Sequence, residues 1–182
     1  MSGLNTKKNN WLILVFFIPY LVTNVFLFLT LIGKDNKLLE MIAESSKLLN
    51  ISDEKFNLFM IVLVVIVNLF IFFVTFIILK IVLLILGFKK NYDQDIFISL
   101  LLSISLVNLL AIFAAQIINI NRVPLSISTS TIEVIVFLLL FYNNTKDIKA
   151  TKFLFYGKLV LLLINIGSLI ILKQIINDSY SK

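Results

Sequence analysis

The sequence predicts an all-α integral membrane protein, a bundle of five transmembrane helices with an amphipathic connector helix after the first. Five long apolar stretches fill most of the 182 residues, and 60% of the residues are hydrophobic. Apolar runs of about 20 residues are typical of membrane-spanning helices. The charged residues, 14% of the chain, lie almost entirely between these runs. We therefore expect a single membrane domain over residues 1–182, with spans at about 11–32, 56–79, 96–118, 123–142 and 153–176.

The first span begins at Trp11, where an aromatic ring at the membrane interface is expected. As a helix, residues 11–32 would measure ~33 Å, close to the ~30 Å hydrocarbon core of a bilayer. Lys7 and Lys8 precede the run as in a signal peptide. The run is too long for one and lacks a cleavage pattern, so we expect an uncleaved span. Pro19 should kink the helix.

Residues 33–55 are polar but have helical periodicity. Apolar side chains such as Leu38, Met41 and Ile42 recur at helical spacing, and charged residues such as Glu44 fall largely on the other side. This pattern predicts the amphipathic connector helix. It would lie on the membrane surface or pack over the bundle itself, and the sequence favours neither.

The second span begins with Ser52 as N-cap and with Asp53 and Glu54 in the first turn, where they complement the helix dipole. Its apolar run continues past Lys80 to Phe88. One helix of that length would measure ~48 Å. It would therefore either project past the headgroups or bend near Lys80. We expect Lys80 near the interface, with its ammonium group reaching towards water.

The fourth span has the weakest signal. It opens with Pro124 and a stretch rich in serine and threonine, and it carries Glu133. Its firmly apolar part, Val134–Tyr142, is too short to cross a bilayer alone. The fifth span carries Lys158 inside its apolar run.

The orientation follows from the lysines and arginines of the loops, which are divided equally between the two sides. Lys80 and Lys158 favour a cytoplasmic N-terminus and an external C-terminus, because both would extend towards the inner face. The abundance of Ile, Leu, Lys, Asn and Phe is typical of AT-rich coding. It favours a bacterial cytoplasmic membrane.

Four spans each carry one asparagine near the middle, and all four should lie at a similar depth. Polar groups in lipid need partners, so these amides should face the bundle interior. They could form a polar midplane site or path for a small ligand or ion. They could also form interhelical hydrogen bonds that hold the bundle together, each contributing ~0.6–2 kcal/mol. The residues are Asn24, Asn68, Asn108 and Asn165.

Three charged residues are candidates for a role inside the membrane: Lys80, Glu133 and Lys158. A carboxylate within a span is a functional candidate by default. Glu133 also adjoins the serine- and threonine-rich stretch, so it could lie at a wet interface or pair with Arg122.

Composition excludes several classes of chemistry. The chain has no cysteine and no histidine, which removes disulfides, the usual zinc sites and imidazole catalysis. It contains no hydrolase, metalloprotease or nucleotide-binding motif. We expect no enzyme activity and no catalytic, cofactor-binding or metal-ligating residues. The net charge of +6 is best explained by loop lysines facing anionic headgroups, so the expected partner is the lipid bilayer and not nucleic acid.

The order of elements along the chain is similar to that of a known family. An amphipathic connector, MIAESSKLLNISDEKF (Met41–Phe56), leads into a long span ending LKIVLLILGFKK (Leu79–Lys90). A serine-rich span follows, DIFISLLLSISLVNLL (Asp95–Leu110). A final pair is joined by a basic loop, IEVIVFLLLFYNNTKDIKATKFLFYGKL (Ile132–Leu159). This layout resembles the Yip1-type membrane family.

The resemblance implies a five-helix, non-enzymatic membrane protein. Eukaryotic relatives in that family act in vesicle trafficking with small GTPases. Bacterial relatives accompany ABC export systems, including ones that protect against toxic peptides. We therefore expect an accessory subunit of an export or antimicrobial-peptide-resistance system, with a membrane-protein partner such as an ABC transporter. The alternatives are a small carrier or channel that uses the polar midplane site, and an immunity protein against a membrane-active toxin.

Overall fold

The computed structural model describes residues 3–34, 36–117 and 122–180, and every regular element within these ranges is an α-helix. Six helices follow one another: α1 (Gly3–Gly33), α2 (Asn36–Leu48), α3 (Asp53–Ile85), α4 (Asp93–Ile117), α5 (Arg122–Thr145) and α6 (Ile148–Tyr180). Five of them are long and apolar enough to cross a membrane, at Leu14–Gly33, Asp53–Ile85, Asp93–Ile117, Pro124–Thr145 and Ile148–Ser168. The predicted all-α class is confirmed, as are five helices long and apolar enough to cross a membrane.

The short helix α2 ends in a tight turn that leads into α3. Asn50 adopts a left-handed backbone with φ of 53°, and Ile51 N donates to Ser46 O over 3.1 Å, the Schellman pattern of a helix C-terminus. The Ser46 hydroxyl donates to Asp53 Oδ1 at 2.6 Å and so joins the two helices. Whether α2 lies on the membrane surface stays a prediction.

Helix α3 is continuous over 33 residues. Ser52 O accepts the first helical hydrogen bond from Phe56 N at 3.0 Å, and the backbone remains helical through Lys80. The helix is therefore unbroken at Lys80. A second Schellman turn stops the helix at Gly87, whose φ of 75° suits glycine. The helix measures ~50 Å, so it exceeds the ~30 Å hydrocarbon core.

Helix α5 includes the serine- and threonine-rich stretch. It begins at Arg122, and Pro124 lies in its first turn, where a missing backbone N–H is tolerated. The Thr129 and Thr131 hydroxyls donate to backbone carbonyls one turn earlier, over 3.0 and 2.9 Å. These local bonds satisfy the hydroxyls inside the helix, so the polar half extends the short apolar segment to a full span.

The described residues divide into two compact units. The first unit lies within Met1–Val74 and Ile104–Ile120, and the second lies within Thr75–Ser103 and Asn121–Lys182. Helices α3 and α4 therefore contribute one part to each unit. The prediction of a single membrane domain is left open by this division.

The core of the first unit is centred on Tyr20, which is 2% exposed. Its ring packs on Phe72 with centroids 5.2 Å apart, and its hydroxyl donates to the backbone oxygen of Asn68 at 2.9 Å. Thr23 and Asn24 are buried beside it. A buried tyrosine normally finds such an acceptor. The polar side of α1 therefore packs against α3.

The second unit contains a column of aromatic rings. Phe88 packs on Tyr92, Tyr92 on Phe141, and Phe141 on Phe137, with centroid separations of 6.2, 5.7 and 6.2 Å. Phe137 and Phe141 are fully buried. At the far end of the column, the Lys158 ammonium lies 4.8 Å from the centre of the Phe137 ring. The column therefore runs from the α3–α4 loop to a charged group deep in the unit.

Gly157 allows α6 to approach α3 closely. A Cβ atom at this position would lie 3.2 Å from Leu79 Cδ2 and 3.5 Å from Val82 Cγ2, and Leu79 is fully buried. Small residues at helix interfaces in membranes permit this approach.

We expect Gly157→Leu to destabilise the protein by about 1–3 kcal/mol through overpacking. Gly157→Ala should be near neutral, because its tight contact is offset by the ~1 kcal/mol higher helix propensity of alanine. The measurement is the unfolding free energy in mixed micelles. Gly167→Leu is the matched control, since a Cβ at Gly167 meets no atom within 4 Å. Equal stability of the two leucine variants would contradict the prediction.

Candidate functional site: an intramembrane ion pair

The charged residues that the sequence placed within the last two spans form an ion pair. Lys158 Nζ lies 2.7 Å from Glu133 Oε1 and 3.0 Å from Oε2, so it bridges both carboxylate oxygens. The side chains are 5% and 17% exposed, respectively. Both residues lie near the middle of their candidate spans, Pro124–Thr145 and Ile148–Ser168. The pair is therefore far from both ends of its helices.

Two further side chains complete the surroundings of the pair. Ser103 on α4 is fully buried, and its hydroxyl donates to Glu133 Oε1 at 3.1 Å. The Phe137 ring, one turn along α5 from Glu133, lies under the Lys158 ammonium. A cation is attracted to the face of an aromatic ring. Residues from α4, α5 and α6 therefore meet at one charged centre.

Helices α5 and α6 form a hairpin that brings the pair together. Lys146 adopts a left-handed backbone with φ of 54° between the two helices, and Asp147 caps α6 by accepting a hydrogen bond from Ala150 N at 3.0 Å. Glu133 and Lys158 lie at nearly equal distances along the chain on either side of this turn. An antiparallel hairpin therefore places them side by side.

Asp147 also accepts a hydrogen bond from the Tyr92 hydroxyl, which comes from the α3–α4 loop. Burial, together with this carboxylate, raises the pKa of Tyr92 to about 12. The bond from Tyr92 and the one from the Ala150 backbone N–H lower the pKa of Asp147. Asp147 therefore joins the start of α6 to the loop before α4.

These pKa shifts predict that the folded state loses stability at alkaline pH and at acidic pH. The folded-state pKa of Tyr92 lies above its ordinary value of 10.0, so its contribution is fully present below pH 10 and is lost as pH rises towards 12. The Asp147 contribution is present above the ordinary carboxyl pKa of 3.8 and is lost as pH falls below it.

We expect the stability of Tyr92→Phe to fall less between pH 10 and pH 12 than that of the native chain, because the variant has no phenol to ionise at this position. The measurement is the unfolding midpoint between pH 9 and pH 12, with tyrosinate absorbance recorded in parallel. Tyr156→Phe is the control, since Tyr156 is half exposed. An unchanged absorbance titration in Tyr92→Phe between pH 10 and 12 would contradict the assignment.

The four asparagines have different surroundings. Asn24 Nδ2 and Asn68 Nδ2 donate to carbonyls one turn earlier on their own helices, over 2.7 and 2.8 Å. Asn165 Nδ2 donates across the α5–α6 hairpin to Ser130 Oγ at 3.1 Å. Asn108 Nδ2 is buried and has no hydrogen-bond partner among the described residues. Asn165 therefore acts as an interhelical link, and two of the others are satisfied locally.

The remaining charges are placed as follows. The Lys80 ammonium lies 2.6 Å from Asp93 Oδ2, with both side chains more than one-third exposed. Lys158 was expected to extend towards the inner face, but its ammonium is held by Glu133. It therefore gives no support to the predicted orientation. The alternative pairing of Glu133 with Arg122 stays a prediction, because the Arg122 side chain lies outside the described part of the chain.

Sequence reasoning missed several members of this site. Glu133 and Lys158 were each identified, but their pairing was not, and Ser103, Ser130 and Asp147 were not singled out.

No family model matches the sequence, and no curated protein or solved structure shows significant similarity to it. The resemblance to the Yip1-type family therefore stays a prediction.

Proposed function

We propose that this chain is a non-enzymatic membrane protein that acts through helix–helix contact with a membrane partner. Its role would be that of an accessory subunit in an export or antimicrobial-peptide-resistance system of a bacterial cytoplasmic membrane. The observation that supports this proposal best is the exposure of α3. Within the most apolar stretch of this helix, 6% of residues are buried. The helix therefore offers a long apolar surface to lipid or to another helix.

One side of α3 has the spacing of a helix-packing seam. Exposed apolar residues recur alternately four and three positions apart, the repeat that supports knobs-into-holes contact between membrane helices. This seam lies on the side of α3 opposite Asn68, whose backbone oxygen binds Tyr20. The seam consists of Phe59, Leu63, Ile66, Phe70 and Phe73.

The polar side chains of the last two spans support the same proposal. Glu133 is engaged by Lys158 and Ser103, and Asn165 by Ser130. Groups that are satisfied within the chain stabilise helix packing. Because these polar groups already bind one another within the hairpin, they are not available to a solute. This favours a protein that acts through helix contacts over a carrier or channel.

The test is purification of the tagged chain in mild detergent, followed by mass spectrometry of the proteins that accompany it. We expect stoichiometric recovery of an ABC permease or ATPase. Ile66→Ala with Phe70→Ala, on the seam, should lower this recovery. The matched control is Leu58→Ala with Ile71→Ala, which removes equally exposed apolar side chains from other sides of α3. Recovery of this chain alone, from native membranes, would contradict the proposal.

A second candidate, a small carrier or channel, is favoured by the amide nitrogen of Asn108, which is buried and unpartnered among the described residues. Such a group is costly unless a ligand or water engages it. In that case Asn108→Leu should abolish solute flux in proteoliposomes, whereas Asn165→Leu, on the bundle surface, should leave it unchanged. Protection of cells from a membrane-active toxin by the chain expressed alone would instead support the immunity function.

A further inference from the structure

A basic pocket lies where α3 ends and α4 begins, at one end of two membrane-crossing helices. Its volume is about 230 Å³, several times the ~30 Å³ share of one water molecule in the liquid. The lining includes Lys80, Lys89 and Lys90, with Asp93 as its acidic member. The pocket therefore has room for a phosphate group and part of the molecule that carries it.

The charges of the pocket favour an anion. Asp93 is engaged by Lys80 at 2.6 Å, which leaves Lys89 and Lys90 as an excess of positive charge in the lining. The Lys90 ammonium lies 5.0 Å from the centre of the Tyr92 ring, and the Asp95 and Asp147 carboxylates attract it from outside the lining. Lys89 is exposed. The lining therefore carries a net positive charge, and one of its lysines is accessible from outside.

Part of the pocket wall is apolar. It includes Leu84, Phe88 and Ile96, and Leu84 is 60% exposed on the last turn of α3. The loop that carries the lysines lies between the candidate spans Asp53–Ile85 and Asp93–Ile117. A basic group beside an apolar wall at this level matches a lipid phosphate above its acyl chains better than a solute from bulk water.

We propose that this pocket binds the phosphate of an anionic phospholipid. The contact rests on the positive charge of Lys89 and Lys90 and on the apolar wall at the end of α3. Lys80 is held by Asp93 and is a further residue of the lining. The proposal is independent of the export function and holds on either face of the membrane.

The test uses the full chain, stripped of lipid in neutral detergent, with native mass spectrometry to count bound lipid. The probes are phosphatidylglycerol and phosphatidylcholine with identical acyl chains, and inorganic phosphate as competitor. Each lysine near a membrane surface contributes about fivefold in affinity for anionic lipid. We therefore expect Lys89→Gln with Lys90→Gln to weaken phosphatidylglycerol binding about 25-fold and to leave phosphatidylcholine binding unchanged.

The matched control is Lys149→Gln with Lys152→Gln, which removes two exposed lysines from the start of α6 and should leave binding unchanged. Lys89→Arg with Lys90→Arg should retain binding because both positive charges remain, and unchanged phosphatidylcholine binding by the glutamine variant shows that its loss is not a folding defect. Equal binding of the two lipids by the native chain, or an equal loss in the control, would overturn the proposal. Displacement of the lipid by millimolar inorganic phosphate would identify free phosphate as the ligand and would also overturn it.

Discussion

Removing one member of the Glu133–Lys158 pair is expected to cause a large loss of stability. Glu133→Gln leaves the Lys158 ammonium, whose side chain is 5% exposed, without a counter-charge. Breaking a buried ion pair in this way costs about 3–5 kcal/mol, because the remaining charge is uncompensated. Lys158→Met should have a similar effect through the orphaned carboxylate. The measurement is the unfolding free energy in mixed micelles.

The double variant separates charge from packing. Glu133→Leu with Lys158→Met removes both charges and should recover most of the loss, because apolar replacement of a buried pair is often neutral or stabilising. Lys80→Met is the control, since the Lys80–Asp93 pair is partly exposed and such pairs contribute ~0–1 kcal/mol. If both single variants are as stable as the native chain, the pair does not hold the hairpin.

Asp147→Ala is expected to destabilise the protein by about 2–4 kcal/mol. The change removes the cap of α6, where Ala150 N donates to Asp147 Oδ1 at 3.0 Å, a loss of ~0.5–2 kcal/mol. It also leaves the hydroxyl of Tyr92, which is 4% exposed, without its acceptor. An unsatisfied buried donor costs ~1–3 kcal/mol. The measurement is again the unfolding free energy, with helix content followed by circular dichroism.

Two comparisons isolate these contributions. Asp147→Asn retains one acceptor oxygen, whereas the Ala150 N–H and the Tyr92 hydroxyl donate to different carboxylate oxygens, so it should recover only part of the loss. Tyr92→Phe in the Asp147→Ala background should cost less than in the native chain, because the hydrogen bond is already absent. Lys149→Ala, an exposed position in the first turn of α6, should have little effect. Additive losses for Tyr92 and Asp147 would show that the bond between them is unimportant.

The pattern of hydrophobic residues predicted the helices well, because a membrane requires long apolar segments and internal satisfaction of backbone polar groups. Its weakest signal was for α5, whose first half is rich in hydroxyl groups, although a span was predicted there. Those hydroxyls bond within the helix, so a polar composition there is compatible with a span. The sequence left open whether α3 continues through Lys80, because one lysine is compatible both with a bend and with a helix that projects beyond the hydrocarbon.

The candidate site was predicted less completely. Glu133 and Lys158 stand out as charges in apolar runs, and their similar distances along the chain from the Lys146–Asp147 turn could have indicated their pairing. The position of Ser103 depends on how α4 packs against the hairpin, which no local pattern reveals. The four asparagines seemed equivalent in the sequence, because their position along each span predicts only how deep they lie in the membrane. It does not predict which neighbouring group each side chain can bind.

The ion pair also has a consequence for how the protein enters the membrane during synthesis. Helix α5 and helix α6 are the least apolar of the five candidate spans, and each carries one charge at its middle. A single such charge opposes insertion of an isolated helix by ~2.5–3.5 kcal/mol. The two segments are separated by the short Lys146–Asp147 turn, so each can offset the charge of the other if they leave the translocon together. This part of the chain should therefore insert as a preformed hairpin, after the more apolar spans are already in lipid.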